Sequence, residues 1–223
     1  MRIVPRVTRW ATFDCYGTLI DWNGGIAAQL RRLWPDEDTR ALLDRYHELE
    51  PAVQAEEPGL AYREVMRRAL ARLGDVPEGE EDALAESLPT WDPFPEAREA
   101  LEEARDRGWS LAILSNTDRD LVEASKAALG VEFDETVVAS EIGSYKPATR
   151  HWEEFRSRAG ADPSRHVHVA QSMFHDIVPA NELGIPSVWI NRLGERFDTT
   201  PTRELPDLRP LPDVLDELVA PRG

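Results

Sequence analysis

Cysteine is nearly absent: the 223-residue chain has one, Cys15. No intrachain disulfide can form, which fits a reducing compartment. There is no run of about 18 apolar residues of the kind that spans a bilayer. The opening MRIVPRVTRW holds no apolar stretch long enough for a signal peptide. The expectation is a cytoplasmic protein with no membrane partner. Positive charge is scarce too, with 26 Lys and Arg against 42 Asp and Glu and a net charge of −16. A general nucleic-acid binder needs a basic face to neutralise phosphates, so that class is excluded. An anionic substrate is repelled at long range, so any anion pocket must be locally basic. No internal repeat or low-complexity tract occurs. What is present, 41% hydrophobic and 30% charged residues, describes a globular chain with a sizeable core.

The chain changes character along its length. Val7 to Phe13 reads as a β-prone apolar strand ending at Asp14, followed by a turn at Gly17. From Ile26 to about Leu88 the apolar residues recur at helical spacing, as in Ile26, Leu30 and Leu33, with prolines as punctuation and no strand pattern. After Pro93–Pro95 a helix is predicted over Glu96–Arg107. Strands at Leu111–Leu114, Thr136–Ala139, His166–Ala170 and Ser187–Ile190 then alternate with helices near Arg119–Leu129, Thr149–Ala159 and Ile177–Leu183. Such alternation means βαβ units and a parallel sheet. Residues 191–210 read as surface loop, and Leu211–Val219 as a last helix. The predicted fold is α/β: a Rossmann-like, three-layer parallel-sheet core over residues 1–20 and 94–223, with a small helical cap inserted after the first strand over 21–93.

Polar residues end the strands. The first ends in Asp14, and the second in Ser115 and Asn116. The third leads to Lys146, and the fourth to Gln171 and Asp176. In a parallel sheet these ends share one edge, where ligands bind. A carboxylate there can attack carbon or phosphorus and split one displacement into two steps. A lysine within ~4–6 Å keeps it ionised. Ser115 and Asn116 can donate to a substrate oxyanion. Asp176 could bind a metal, hold Lys146 or orient a water. Cys15 alternates to the other strand face and reads as a small buried hydrophobe; His175 reads as a polar residue at a helix start.

The segments DCYGTL, LSNT, YKP and QSMFHD, followed by LGIPSVWINR, resemble the four motifs of the haloacid dehalogenase superfamily over essentially the whole chain. Phosphatases of that superfamily carry a general-acid aspartate two residues after the nucleophile and a Mg²⁺-binding aspartate at the start of the fourth motif. Tyr16 and Gln171 stand at those positions here. Tyr16 and WINR are similar to the L-2-haloacid dehalogenase (type II) branch. That resemblance implies a metal-free and cofactor-free hydrolase acting on a small organic acid. Asp14 attacks the halogen-bearing carbon of a short 2-haloacid, and water then hydrolyses the ester to a 2-hydroxy acid and halide. It also implies that Lys146 balances Asp14, that Tyr16, Thr18, Ser115, Asn116 and Gln171 surround the substrate, and that Asp176 places Lys146 or the water. Arg45, or else Arg40, lies near the leaving halide. A homodimer is common among such relatives. Gln171, Met173 and Trp152 depart from the branch, which carries Ser, Asn and Tyr there. The alternatives are a phosphatase using an aspartyl-phosphate and Mg²⁺, and a binding protein that has lost turnover.

Overall fold

Arg9–Phe13 forms β1, and every residue of it is buried. A strand covered on both faces needs apolar side chains on both, hence the continuous run rather than an alternating one. The computed structural model describes residues 8–221, so Val7 lies outside them. After β1 come four cap helices, α1 (Trp22–Leu33), α2 (Thr39–Glu56), α3 (Tyr62–Leu73) and α4 (Ala83–Ser87). The core resumes with α5 (Ala97–Asp106), β2 (Trp109–Ser115), α6 (Arg119–Leu129), β3 (Glu135–Val138), the one-turn α7 (Ala139–Ile142) and α8 (Arg150–Ala159). Then follow β4 (His166–Ala170), α9 (Val178–Glu182), β5 (Ser187–Ile190), β6 (Arg203–Leu205) and α10 (Leu211–Leu218).

The six strands are parallel in the order β3-β2-β1-β4-β5-β6. The chain moves outward from β1 to β3, then returns to lay β4 on the other side of β1. The order therefore reverses between β1 and β4, and the crevice beyond their C-terminal ends is the ligand position in such sheets. Alternate residues of β2 serve two cores. Leu111 and Ile113 join the large cluster that continues into the cap, and Ala112 and Leu114 join a second one with Trp10, Trp152 and Phe155. The three layers follow from that alternation.

The two chain crossings between cap and core are tied together. Ile20 bridges Pro93 in antiparallel fashion, Asp21 N donates to Asp92 O at 2.9 Å, and Phe94 N donates to Leu19 O at 2.9 Å. Asp38 caps α2 by accepting from the amides of Arg40 and Ala41. The N-terminus of α3 has Ala61 where a capping side chain would stand. Its free amides on Tyr62 and Arg63 are taken instead by Asp118 of the core, at 2.9 and 3.0 Å.

Two elements differ from the sequence reading. Residues 191–210 contain β6, which extends the sheet beside β5 through Val188–Arg203 register. It is three residues long with two exposed, too short to show an alternating pattern. The helix expected from Ile177 begins at Met173 as one widened turn, in which Ile177 N donates to Ser172 O and the Val178 amide to Met173 O.

Candidate active site

Asp14 follows β1 immediately, and its amide donates to Val169 O on β4, so the carboxylate is set at the sheet edge by the ladder itself. Thr18, in the turn after Gly17, donates through Oγ1 to Asp14 Oδ2 at 3.0 Å. The same oxygen accepts from the Gln171 amide at 2.9 Å, which ties the β1 turn to the β4 turn. Gly17 holds φ of 87° and its Cα faces the Gln171 amide group. The positive φ favours glycine here, and a Cβ would also stand a tight 3.3 Å from Gln171 Oε1.

Lys146 Nζ is the hub. It donates to Asp14 Oδ1 at 2.9 Å, to Asp176 Oδ1 at 2.6 Å and to Leu114 O at 2.8 Å. Its three protons are thus all used, with the side chain almost fully buried. The lysine stays charged, because attraction to Asp14 and Asp176 outweighs the burial that opposes it. Burial raises Asp14 above the ordinary carboxylate range against the pull of Lys146. Burial also works to raise Asp176, but Lys146 and then His168 hold it down at about 2.

Asn116 fixes the lysine from behind. Its Oδ1 accepts from Lys146 N at 2.7 Å and its Nδ2 donates to Lys146 O at 3.0 Å. The carbonyl oxygen and one N–H are thus spent on backbone and clamp the lysine loop, while Nδ2 also lies 3.5 Å from Gln54 Oε1 on the cap. Ser115 Oγ, by contrast, is buried, lines the cavity and has no hydrogen-bond partner among the described residues. Tyr16 packs edge-on to Trp91, and its hydroxyl pairs with Ser125 Oγ at 3.1 Å. Burial pushes that phenol well above its usual range, which makes it a poor proton donor to a leaving group. The Gln171 amide nitrogen reaches Glu195 at 3.4 Å.

The cavity between cap and core has a volume of about 580 Å³. Asp14, Tyr16, Ser115, Asn116, Lys146, Gln171 and Asp176 all border it. Arg45 does not. It is exposed on α2, and its guanidinium lies 3.4 Å from Arg72 O on the cap's outer side. Arg40 borders the mouth, paired with Asp44 at 3.0 Å. The α2 face that does line the cavity carries His47, Glu50 and Gln54, none of which the sequence reading singled out. Arg192 of WINR holds the floor by pairing with Glu96 at 2.6 Å and donating to Thr18 O at 3.1 Å.

Behind Asp176 runs a buried polar chain. His168 Nε2 lies 3.0 Å from Asp176 Oδ1 and its Nδ1 lies 2.8 Å from Thr12 Oγ1, which in turn is 2.7 Å from His166 Nε2. The signal was present in HVHVA, where two histidines two apart share one strand face. His175 borders the cavity and pairs with Ser172 Oγ at 3.0 Å. Burial lowers it to about 4, so it is neutral at pH 7.

A divalent cation would draw on Asp14, Asp176 and Gln171. The two carboxylates already share the Lys146 ammonium through Oδ1, and the amide is turned to Glu195. With a neutral amide at Gln171 in place of a further carboxylate, and both acids already balanced by Lys146, the set fits an ammonium better than a divalent ion, and no step is routed through one.

A buried carboxylate at the β1 edge, balanced by a lysine and followed by a helical cap, is an arrangement that suits a hydrolase. Residues 8–184 match the family model of haloacid dehalogenase-like hydrolases, and the chain belongs to that family. It is 28% identical to the (S)-2-haloacid dehalogenase of Pseudomonas sp. (strain YL), covering 92% of this chain and 93% of the relative. It is also 28% identical to haloacetate dehalogenase H-2 of Moraxella sp. (strain B), over 93% and 96%. The fold is that of the L-2-haloacid dehalogenase of Xanthobacter autotrophicus, solved with chloropropionic acid covalently bound. That superposition has a TM-score of 0.82 at 20% identity and covers 94% of this chain and 98% of the other. Among the described residues, no helix is long and apolar enough to cross a membrane.

Proposed function

We propose that the protein is a 2-haloacid dehalogenase that uses Asp14 as its nucleophile and needs no metal. The observation that carries this reading is the pair formed by Asp14 and Tyr16. The carboxylate is held for attack by Lys146 and Thr18, while the position two residues on offers no acid for a leaving alkoxide. A halide leaves unprotonated, so chemistry at carbon can dispense with that acid. The names of the curated relatives and the covalent chloropropionic acid in the Xanthobacter enzyme support the same reading.

In the first step an Asp14 oxygen bonds the α-carbon as the carbon–halogen bond breaks, and its electron pair leaves with the halide. In the second step water adds to the Asp14 carboxyl carbon and the alkyl oxygen departs as a 2-hydroxy acid, with one proton released overall. Ser115 Oγ, buried without a partner, is the donor available to the substrate carboxylate. Asp176 Oδ2, also without a partner, is the acceptor available to the water. Lys146 balances the charge that Asp14 loses and regains.

The test is halide release from both enantiomers of 2-chloropropionate, without added metal and with EDTA present. Release is expected, together with its loss in Asp14→Asn and an adduct on Asp14 by intact mass in Asp176→Asn. Background release from 2-haloacids, with Mg²⁺-dependent turnover of a phosphate ester instead, would overturn it.

A further inference from the structure

Glu50 is an acid of the cavity that the proposed reaction does not use. It sits in mid-α2 on the cap wall, 6% exposed, and borders the same space as Asp14. Its Oε1 accepts from Gln54 Nε2 at 2.8 Å. The Tyr62 hydroxyl, which accepts from Trp22 Nε1 at 3.3 Å, also lies within hydrogen-bond reach of it. Among the described residues no lysine or arginine pairs with it. The titratable groups around it are Tyr46 and His47 on its own helix, Tyr62 on α3, and Tyr145 and Asp14 on the core. None of these supplies a positive charge at neutral pH.

A carboxylate taken out of water without a cation is costly. Glu50 responds by keeping its proton: burial, with the Asp14 charge adding to it, pushes the group up to about 7. The cations that border the cavity are engaged already, Arg40 with Asp44, Lys146 with Asp14 and Asp176, and Arg192 with Glu96. Asp21, Asp44 and Glu195 add further negative charge to the walls. The cap wall thus holds an acid without a counter-ion. The cavity, at about 580 Å³, has room for more than a three-carbon acid.

We propose that Glu50 is the counter-ion for a cationic group of the substrate, so that the site prefers a 2-haloacid whose far end carries an ammonium over one with a bare alkyl end. This rests on the dehalogenase reading. On binding, Glu50 gives its proton to solvent, and the ammonium donates to its carboxylate.

The probes are isoserine (3-amino-2-hydroxypropanoate), the product of such a substrate, and lactate, the product lacking the amine. Both enantiomers of each are titrated calorimetrically at pH 7 into the wild type and Glu50→Gln, in buffers of differing ionisation enthalpy. Isoserine is expected to bind about tenfold or more tightly than lactate, the size of one charge-assisted hydrogen bond, with proton release. Glu50→Gln keeps the shape and the Gln54 contact, and is expected to erase both the preference and the proton release. Equal affinity in the wild type, no isoserine binding, or a preference that survives in Glu50→Gln would overturn the assignment. Halide release from 2-chloropropionate is measured in parallel. Release without an isoserine preference overturns Glu50's role alone, and a preference without release overturns the dehalogenase reading while keeping the subsite.

Discussion

Lys146 Nζ lies 2.6 Å from Asp176 Oδ1, closer than the 2.9 Å that separates it from Asp14 Oδ1. The lysine is therefore anchored by one carboxylate and presented to the other. Removing it leaves two buried carboxylates with no cation, whereas removing either acid leaves a one-to-one pair. Lys146→Met is expected to destabilise the fold by about 3–5 kcal/mol, and Asp14→Asn by clearly less. Urea unfolding of the two variants checks the ordering.

Thr18 joins Asp14 to the β4 turn through a single oxygen, Oγ1. Thr18→Val keeps the volume and removes both bonds, leaving the Gln171 amide unpaired. The expected loss is about 1–3 kcal/mol of stability and about tenfold in kcat for halide release, with Thr18→Ser restoring most of both. Unfolding midpoints and steady-state kinetics measure this.

Asp118 caps a helix of the other lobe. Asp118→Ala frees the Tyr62 and Arg63 amides and is expected to cost about 0.5–2 kcal/mol. The local readout is hydrogen exchange, which should accelerate at residues 62–65 more than in α1. Asp118→Asn, which keeps an oxygen acceptor, is expected to fall between the two.

Stability should depend on pH through Glu50 in a direction that can be worked out. Its folded value of about 7 exceeds the ordinary 4.5. The folded state then holds the proton more tightly, and that stabilisation is present below pH 4.5 and lost as pH rises to about 7. Glu50→Gln lacks this loss, so it should be more stable than the wild type at pH 8, by about 3 kcal/mol at most, with the gap closing by pH 4.5. His151 and His166 oppose this trend, because burial lowers both to about 3 and favours the folded state as pH rises through their unfolded range near 6.5. The comparison of variant with wild type cancels their contribution, and urea unfolding across pH 4.5–8 reads what remains.

Much of this protein is legible in its residues because strand ends are local facts. Asp14, Ser115 and Gln171 each follow an apolar run directly, so a parallel sheet alone brings them to one edge. Lys146 and Asp176 come from the loops just beyond. The helical insertion is equally plain from its spacing. The edge strand β6 is not, since three residues with two exposed make no pattern.

The cap shows where local information ends. On α2 the residues facing the cavity are Arg40, Leu43, Asp44, His47, Glu50, Pro51 and Gln54, one stripe at three- and four-residue steps. Arg45 falls off that stripe, and Tyr46 and Val53 face the core. Periodicity determines that a helix exists and which residues share a face. Which polar stripe meets the nucleophile depends on how the helix is rotated and docked. That is set by contacts distant in sequence, such as Asp118 with the α3 amides and Tyr145 Oη donating to Leu60 O at 2.7 Å. The sequence by itself pointed to Asp14, its lysine and the sheet edge. The tertiary structure alone decided that Glu50, not Arg45, faces Asp14 across the cavity, because a helix's orientation is a property of what it packs against.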